Sequence, residues 1–282
     1  MNQKPKHIAV AGATGAVGIE ILECLEHRNF PVGELTLLAS ARSAGKELTF
    51  RGKQITVKEL APDSFDGVDI VLFSAGGEIS KEFAPYAVAA GAVVVDNSSA
   101  FRLDEGVPLV VPEVNPGDIK QHNGIIANPN CTTIVTLIAL NPMHLSFGGV
   151  ESIIASSYQA VSGSGAQGIA ELEEQTDALA KGLPMPERNV YPHQIVSNVI
   201  PQVDAFQENG YTKEEMKMHY EGQKILHAPN LKASVTCVRV PVIRSHAVSV
   251  TAVFNEQPSV EAARESIAAA EGVRVLDDPF AD

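Results

Sequence analysis

The chain is 282 residues long, 45% of its residues are hydrophobic, and its formal net charge is −13 at pH 7. This length allows one large core or two modest ones, and no apolar run approaches the roughly eighteen residues that a membrane span needs. The negative charge argues against nucleic acid and against anionic membranes as partners, because the electrostatic field of the chain repels both.

The cysteine content argues for a reducing compartment. The three cysteines, Cys24, Cys131 and Cys237, are odd in number and widely spaced, so they predict neither a disulfide framework nor a metal site. The first residues, MNQKPK, lead directly into a predicted strand and lack the apolar stretch of a secretory signal. We therefore expect a cytoplasmic protein without a bound metal.

The first half of the chain predicts alternating strands and helices. Residues 7–11 form an apolar strand that ends at Gly12, and residues 16–28 carry apolar side chains at helical spacing. A hairpin is expected around residues 51–52, and a helix between the strands at 68–73 and 92–95. Further apolar strands are predicted at 35–39, 68–73, 92–95, 109–111 and 125–127. Because these strands are apolar on both faces, we expect a Rossmann-type α/β domain with a parallel sheet over residues 1–130.

The second half of the chain has a different pattern. A helix is predicted from residue 131 to residue 140, and a second helix fits residues 167–181. Long strands with alternating polarity are predicted at 152–161, 233–242 and 247–254. A Pro-rich and Asn-rich loop is predicted at 183–201, a late helix at 260–270 and a final short strand at 273–276. We therefore expect an α+β domain with a mainly antiparallel sheet over residues 131–282.

A glycine-rich turn joins the first strand to the first helix. Small residues at such a turn let a pyrophosphate approach main-chain N–H groups at the positive end of the helix. The residues predicted to contact a dinucleotide here are Gly12, Thr14, Gly15, Ala16, Val17 and Gly18. A plain tight turn between strand and helix is the alternative interpretation.

About twenty residues further on, an enzyme that uses NAD would place an acidic residue against the ribose hydroxyls. The second strand leads instead into Arg42 and Ser43. A guanidinium with a neighbouring hydroxyl suits a 2′-phosphate, so NADP is the expected cofactor. Arg42 as a solvated loop residue is the alternative.

Cys131 follows the turn Asn128-Pro129-Asn130 and begins a helix. This position is predicted to expose the sulfur and to lower the pKa of its thiol through the field of the helix N-terminus, as a nucleophile requires. Cys24 and Cys237 lie within a predicted helix and strand, and we expect both to be unreactive.

The segment Asn128-Pro129-Asn130-Cys131-Thr132-Thr133 resembles the active-site signature of aspartate-semialdehyde dehydrogenases. Three further segments are similar to this family: residues 98–102 to its phosphate-binding segment, residues 158–163 to its Gln-containing strand, and residues 239–246 to its substrate arginine and base histidine. The resemblance covers essentially the whole chain. It implies that the second domain is a catalytic and dimerisation domain, and that the protein forms a homodimer or a tetramer.

The resemblance also implies a reaction and a site. The Cys131 thiolate would attack L-aspartate 4-semialdehyde, hydride would pass to NADP, and phosphate would cleave the thioester to 4-aspartyl phosphate. In the reverse, reductive direction this reaction serves lysine (through diaminopimelate), methionine and threonine biosynthesis. The implied roles are Cys131, His246 and Gln159 in catalysis, Arg239, Glu214 and Asn130 in substrate binding, Arg102 and Lys217 in phosphate binding, and Ser162 and Gly163 beside the cofactor.

Three alternatives remain open at this point. N-acetyl-gamma-glutamyl-phosphate reductases are related, but their nucleophile follows a Pro-Gly pair, whereas Asn130 precedes Cys131 here. A non-catalytic nucleotide-binding relative and a thiol hydrolase using Cys131 and His246 are the others. The family continues with a strand and a helix that returns to the nucleotide domain, and this segment is expected to be missing here, which would weaken NADP binding or stability.

Overall fold

A computed structural model describes residues 4–277 of the chain. The contacts divide it into two units: the first comprises the chain up to Val110 together with residues 117–129, and the second comprises residues 111–116 and the chain from Asn130 onward. Two expectations, that a C-terminal segment is missing and that the chain has no secretory signal, concern the chain ends, which lie outside the described residues.

The first unit contains a six-stranded sheet in the order β5-β2-β1-β6-β7-β8. All of its pairings are parallel, which confirms the predicted sheet. Its strands are β1 (Lys6–Ala11), β2 (Val32–Ala39), β5 (Lys58–Glu59), β6 (Ile70–Phe73), β7 (Val93–Asp96) and β8 (Ile125–Ala127). The segment predicted as a strand at 109–111 contributes only an isolated bridge, from Leu109 to Ala127.

Helices α1 (Ala16–His27) and α2 (Gly77–Ala89) complete this unit, with a hairpin formed by β3 (Glu47–Phe50) and β4 (Lys53–Thr56). Alternate residues of β1 enter two different hydrophobic clusters: Ile8 and Val10 pack in one, Ala9 and Ala11 in the other. Since successive side chains of a strand point to opposite faces, the sheet is covered on both sides.

The second unit is built on a three-stranded sheet in the order β10-β9-β11. Its strands are β9 (Val150–Gln159), β10 (Lys232–Arg239) and β11 (Ala247–Phe254), and its helices are α3 (Cys131–Ser146), α4 (Gly165–Lys181), α5 (Lys213–Ile225) and α6 (Val260–Ala268). Residues 273–276, predicted as a strand, are irregular.

This second sheet is mixed, whereas the sequence predicted a mainly antiparallel one. Strand β11 pairs antiparallel with β9, but β10 pairs parallel with it. The connection from β9 to β10 contains α4 and α5, and a crossover of that length returns the chain in its original direction. None of the helices in the described part of the chain is long and apolar enough to cross a membrane.

Candidate active site

The glycine-rich turn of the first unit is closed to side chains. Gly12 has φ +87°, and a Cβ on it would lie 2.7 Å from the carbonyl oxygen of Ser74. A Cβ on Gly18 would lie 2.3 Å from the oxygen of Gly12. Gly15 is the N-cap of α1 and has no side chain to bond the N-terminal N–H groups of the helix. The turn therefore fits a dinucleotide phosphate, and Val17 on the first helical turn is exposed.

Arg42 and Ser43 lie in a short 3-10 turn that follows β2. The Arg42 side chain is exposed, and it forms no ion pair with any residue from 4 to 277. Ser43 is buried instead, and its N–H donates to the oxygen of Ser40 at 2.8 Å. Of the two, only Arg42 therefore presents a polar group to solvent in this structure.

Asn130 fixes the start of α3 from three sides. Its Oδ1 accepts hydrogen bonds from the N–H groups of Thr132 (3.0 Å) and Thr133 (3.4 Å), which caps the helix. Its own N–H donates to Oε2 of Glu221 at 2.7 Å, and its Nδ2 donates to Oε1 of Glu214 at 3.0 Å. The predicted nucleophile, Cys131, therefore follows a main chain with little freedom.

Cys131 and His246, both predicted to act in catalysis, lie in direct contact. Sγ of Cys131 lies 3.2 Å from Nε2 of His246. Nδ1 of the histidine accepts a hydrogen bond from the N–H of Ala160 at 3.1 Å, so the neutral ring carries its proton on Nε2, which faces the sulfur. Burial lowers the pKa of His246, and the charge of Arg239 acts in the same direction. Both effects favour the neutral imidazole as a donor to a thiolate.

The prediction that the pKa of Cys131 is lowered is wrong. Burial of the sulfur among protein groups raises the pKa of this thiol, and the negative charge of Glu214 raises it further. The N–H and hydroxyl of Thr132 and the charge of Lys217 oppose this shift without cancelling it. The thiol of Cys237 is buried, and burial raises its pKa to about 12, which agrees with an unreactive residue.

Glu214 and Gln159 form a buried polar cluster beside Thr132, the residue that follows Cys131. Nε2 of Gln159 lies 2.6 Å from Oγ1 of Thr132 and 3.2 Å from Oε1 of Glu214, and it donates to both. Lys217 donates to Oε2 of Glu214 at 2.7 Å and lies 3.7 Å from Asp204. Burial disfavours the charged carboxylate, but Lys217 and the hydrogen bonds from Asn130 and Gln159 outweigh it, so the pKa of Glu214 lies below its ordinary value.

Arg239 ends β10 and is only 6% exposed. Its Nη1 donates to the carbonyl oxygen of Ala160 at 2.7 Å. Among residues 4–277 it forms no ion pair, so this buried guanidinium has capacity for an external anion. A Cβ on Gly163 would lie 2.9 Å from Nη1 of Arg239 and 3.7 Å from the ring of His246, so this glycine leaves room for both side chains.

Arg102 belongs to the first unit, where it is buried. Its Nε donates to the oxygen of Asn128 at 2.9 Å, and its Nη2 donates to the oxygen of Asn97 at 3.0 Å. Main-chain carbonyls therefore fix the plane of this guanidinium. Ser162 lies in the second unit, within a short 3-10 turn that joins β9 to α4.

Two supporting residues, Glu221 and Tyr191, were not predicted from the sequence. Glu221 is 2% exposed and accepts a hydrogen bond from the N–H of Asn130. Tyr191 lies in the loop after α4, with its ring centroid 6.0 Å from Cζ of Arg239. The seven-residue spacing of Glu214 and Glu221 places both on one face of a helix, and this was the available sequence signal for Glu221. The sequence holds no such signal for Tyr191.

The chain matches two families along its length. The family described as the NAD binding domain of semialdehyde dehydrogenase matches residues 7–122, and the one described as the dimerisation domain of semialdehyde dehydrogenase matches residues 140–282. The aspartate-semialdehyde dehydrogenase of Aquifex aeolicus is 53% identical over 275 residues, which span 96% of this chain and 81% of that relative.

Solved structures agree with these matches. The crystal structure of aspartate semialdehyde dehydrogenase II from Vibrio cholerae complexed with ASA is 47% identical and superposes with a TM-score of 0.93 over 96% of this chain and 80% of that one. The enzyme from Candida albicans with NADP is 26% identical, with a TM-score of 0.70 over 93% and 76% of the two chains. Family matches over both halves, high identity and a shared fold agree, and the chain therefore belongs to the aspartate-semialdehyde dehydrogenase family.

Proposed function

We propose that this protein catalyses the NADP-dependent, phosphorylating interconversion of L-aspartate 4-semialdehyde and 4-aspartyl phosphate through a thioester on Cys131. The observation that carries the proposal is the pairing of Cys131 with His246, at 3.2 Å, at the start of a capped helix. A cysteine adjacent to an imidazole and a helix N-terminus is the arrangement that covalent thiol catalysis uses.

In this mechanism Cys131 loses its proton to solvent and its thiolate attacks the aldehyde carbon. The carbon–oxygen double bond becomes the alkoxide of a thiohemiacetal, and the Nε2–H of His246 donates a hydrogen bond to it. When bound, NADP accepts the hydride from this carbon, which leaves a thioester. Phosphate then attacks the thioester carbonyl, the carbon–sulfur bond breaks, and the thiolate is restored.

The hydrogen bond from Ala160 to Nδ1 bears on the role of His246 as an acid and base. While Nδ1 accepts this hydrogen bond, the ring acts as a donor from Nε2. For Nε2 to take a proton from the thiohemiacetal hydroxyl, Nδ1 must carry a proton as well, so the bond from Ala160 must first break. We therefore assign His246 to stabilisation of the thiolate and the alkoxide, with proton transfer coupled to the opening of that bond.

Substrate recognition is assigned to Arg239, Glu214 and Asn130. The guanidinium of Arg239 has no carboxylate partner among the described residues and offers a planar pair of donors for the substrate carboxylate. Glu214 is held ionised and accepts the substrate ammonium, while Asn130 orients it through its Nδ2. Gln159 donates a hydrogen bond to the carboxylate of Glu214, and we assign it to orient the thiohemiacetal.

Phosphate is assigned to Arg102 and Lys217. The guanidinium of Arg102 has a fixed plane, which suits a tetrahedral anion. Lys217 lies between the carboxylates of Glu214 and Asp204, and arrival of the ammonium at Glu214 would loosen one of these ion pairs and direct the lysine to phosphate.

NADP is the proposed cofactor. The glycine turn excludes side chains, as a pyrophosphate site requires. The exposed Arg42, which forms no ion pair with residues 4–277, suits a 2′-phosphate. Ser43 would reach that phosphate only after its turn reorganises. Ser162 and Gly163 are also assigned as residues that contact the cofactor. The Candida albicans relative, whose structure includes NADP, supports this choice.

The assembly and cellular role follow the family. The match to a dimerisation domain supports a homodimer. We propose that the enzyme acts in the cytoplasm, in the biosynthesis of lysine, methionine and threonine, where its three unpaired cysteines would remain reduced.

The test is NADP reduction, followed by nicotinamide absorbance, with aspartate semialdehyde and phosphate supplied together and then each omitted. We expect reduction only when both are present, and we expect Cys131→Ser to lower the rate by at least about a thousandfold. Cys24→Ser, at an exposed position of α1, is the matched control and should retain the wild-type rate. Reduction without phosphate would contradict the phosphorylating step, and an active Cys131→Ser variant would contradict the thioester.

A further inference from the structure

The loop between α4 and α5 is anchored by two buried side chains of α4. Glu171 is 4% exposed and Gln175 is 1% exposed. Oε2 of Glu171 accepts from the N–H groups of Asn189 (2.7 Å) and Val190 (2.6 Å), and Oε1 of Gln175 accepts from those of Ile195 (3.0 Å) and Val196 (3.1 Å). One face of a helix thus satisfies main-chain groups that a neighbouring strand would otherwise satisfy.

Tyr191 lies between these two anchor points and is 8% exposed. Its ring packs in a hydrophobic cluster with Val161, Leu172, Ile195, Val196 and Ile200. Its hydroxyl donates to the oxygen of Val161 at 3.4 Å. A Cβ on Gly168 would lie 2.5 Å from this hydroxyl, so α4 leaves room for the ring only because residue 168 is glycine. Glycine at position 168 is therefore part of the pocket that holds the ring.

The same loop contacts Arg239 through both its side chain and its main chain. The Tyr191 ring centroid lies 6.0 Å from Cζ of Arg239. Further along the loop, Ile200 and Arg239 exchange two main-chain hydrogen bonds, of 2.8 and 2.9 Å. With the bond from Nη1 to the oxygen of Ala160, these contacts hold the guanidinium before any ligand arrives.

We propose that the loop of residues 189–200 is the support that positions Arg239, and that Tyr191 is a positioning residue which determines selectivity for an aldehyde that carries an α-carboxylate. The inference rests on the proposed function, which assigns Arg239 to that carboxylate. It adds a residue remote from the reacting atoms to the determinants of specificity.

The physical reason is preorganisation. A free arginine side chain loses rotamer freedom when it is fixed by a ligand, and a guanidinium that is already held avoids this loss at the moment of binding. An aromatic face beside the guanidinium also stabilises its charge in a site with little water. Without the ring, Arg239 would gain alternative positions, and binding of the substrate carboxylate would weaken most.

The experiment compares two aldehydes. L-aspartate 4-semialdehyde carries the α-carboxylate, and 3-aminopropanal has the same aldehyde and amine without it. We expect Tyr191→Leu to lower kcat/KM for aspartate semialdehyde by about tenfold, mainly through KM, and to leave that for 3-aminopropanal within about twofold. Tyr191→Phe keeps the ring and should differ from wild type by less than about twofold for both aldehydes.

Two further measurements separate the possible outcomes. Arg239→Leu is the reference: if it lowers the rate with both aldehydes equally, the assignment of Arg239 in the proposed function is wrong. If Arg239→Leu discriminates and Tyr191→Leu does not, the positioning role alone is overturned. The rate at which iodoacetamide alkylates Cys131 should stay unchanged in Tyr191→Leu, since a general loss of structure would alter it.

Tyr191→Met serves if the leucine variant does not fold, because methionine fills a similar volume with a flexible chain. Its expected pattern is the same selective loss. An equal loss with both aldehydes in a folded Tyr191→Met variant would overturn the inference.

Discussion

Replacement of Asn130 by alanine should destabilise the second unit and slow the enzyme through one residue. The change removes the oxygen that caps α3 and the amide that donates to Glu214, and leaves the main-chain bond to Glu221 in place. Loss of an N-cap costs about 1 kcal/mol. Loss of a hydrogen bond to a buried carboxylate costs about 1.5–3 kcal/mol. We therefore expect the free energy of unfolding to fall by about 3 kcal/mol.

The assay is urea unfolding followed by far-UV circular dichroism, and the matched variant is Asn130→Ser. Serine is as good an N-cap as asparagine but lacks the amide that reaches Glu214, so this variant should lose only the larger contribution. If Asn130→Ala costs less than about 1 kcal/mol, or if the serine and alanine variants are equally stable, the hydrogen bonds of the Asn130 side chain do not stabilise the second unit as described.

Three further predictions concern the sulfur and the cofactor. Because the Glu214 carboxylate raises the pKa of Cys131, Glu214→Gln should shift the pH dependence of Cys131 alkylation by iodoacetamide to lower pH. Cys237 should stay unmodified in both proteins, and an unchanged pH profile for Cys131 would refute this role of Glu214. Gly18→Ala brings a Cβ to 2.3 Å from a main-chain oxygen of the glycine turn. We therefore expect the Kd of this variant for NADP, measured by fluorescence titration, to rise at least about tenfold. Retained affinity would show that the turn tolerates a side chain. Arg42→Ala should raise KM for NADP by about tenfold or more and leave KM for NAD unchanged. Equal effects on both cofactors would show that Arg42 does not bind the 2′-phosphate.

The parallel sheet and the position of Cys131 could be predicted from local patterns. Apolar strands such as β6 and β7 are buried on both faces, and this character is visible in the sequence. An asparagine before the first residue of a helix is a capping signal, and the structure shows Asn130 in that role. Both inferences depend on residues close together along the chain.

Strand direction and the acidity of Cys131 depend on residues far apart. Alternating polarity has the same period in parallel and antiparallel strands, so the direction of β10 relative to β9 could not be inferred from it. The pKa of Cys131 depends on Glu214, which reaches the sulfur from α5. In the sequence, Glu214 and Glu221 resemble an ordinary solvated charged face, and only the fold shows that both are buried.

The loop around Tyr191 illustrates another limit. Its Pro-rich and Asn-rich composition predicted an irregular excursion, and it is irregular in the structure. Irregular backbone can still be rigid when buried side chains satisfy its N–H groups, as Glu171 and Gln175 do here. Composition reports the absence of regular structure and carries no information about such anchoring.

Helix α5 imposes a constraint on chain length. It holds Asn130 through Glu214 and Glu221, and its Glu215 both completes a capping box with Thr212 and accepts the N–H of Cys237 on the sheet. Inserting or deleting one residue in this helix would rotate every later side chain by about 100°, which no local adjustment can restore. Substitutions on the exposed face of α5 should therefore be tolerated where insertions and deletions are not, and the helix can vary in sequence across lineages only at constant length.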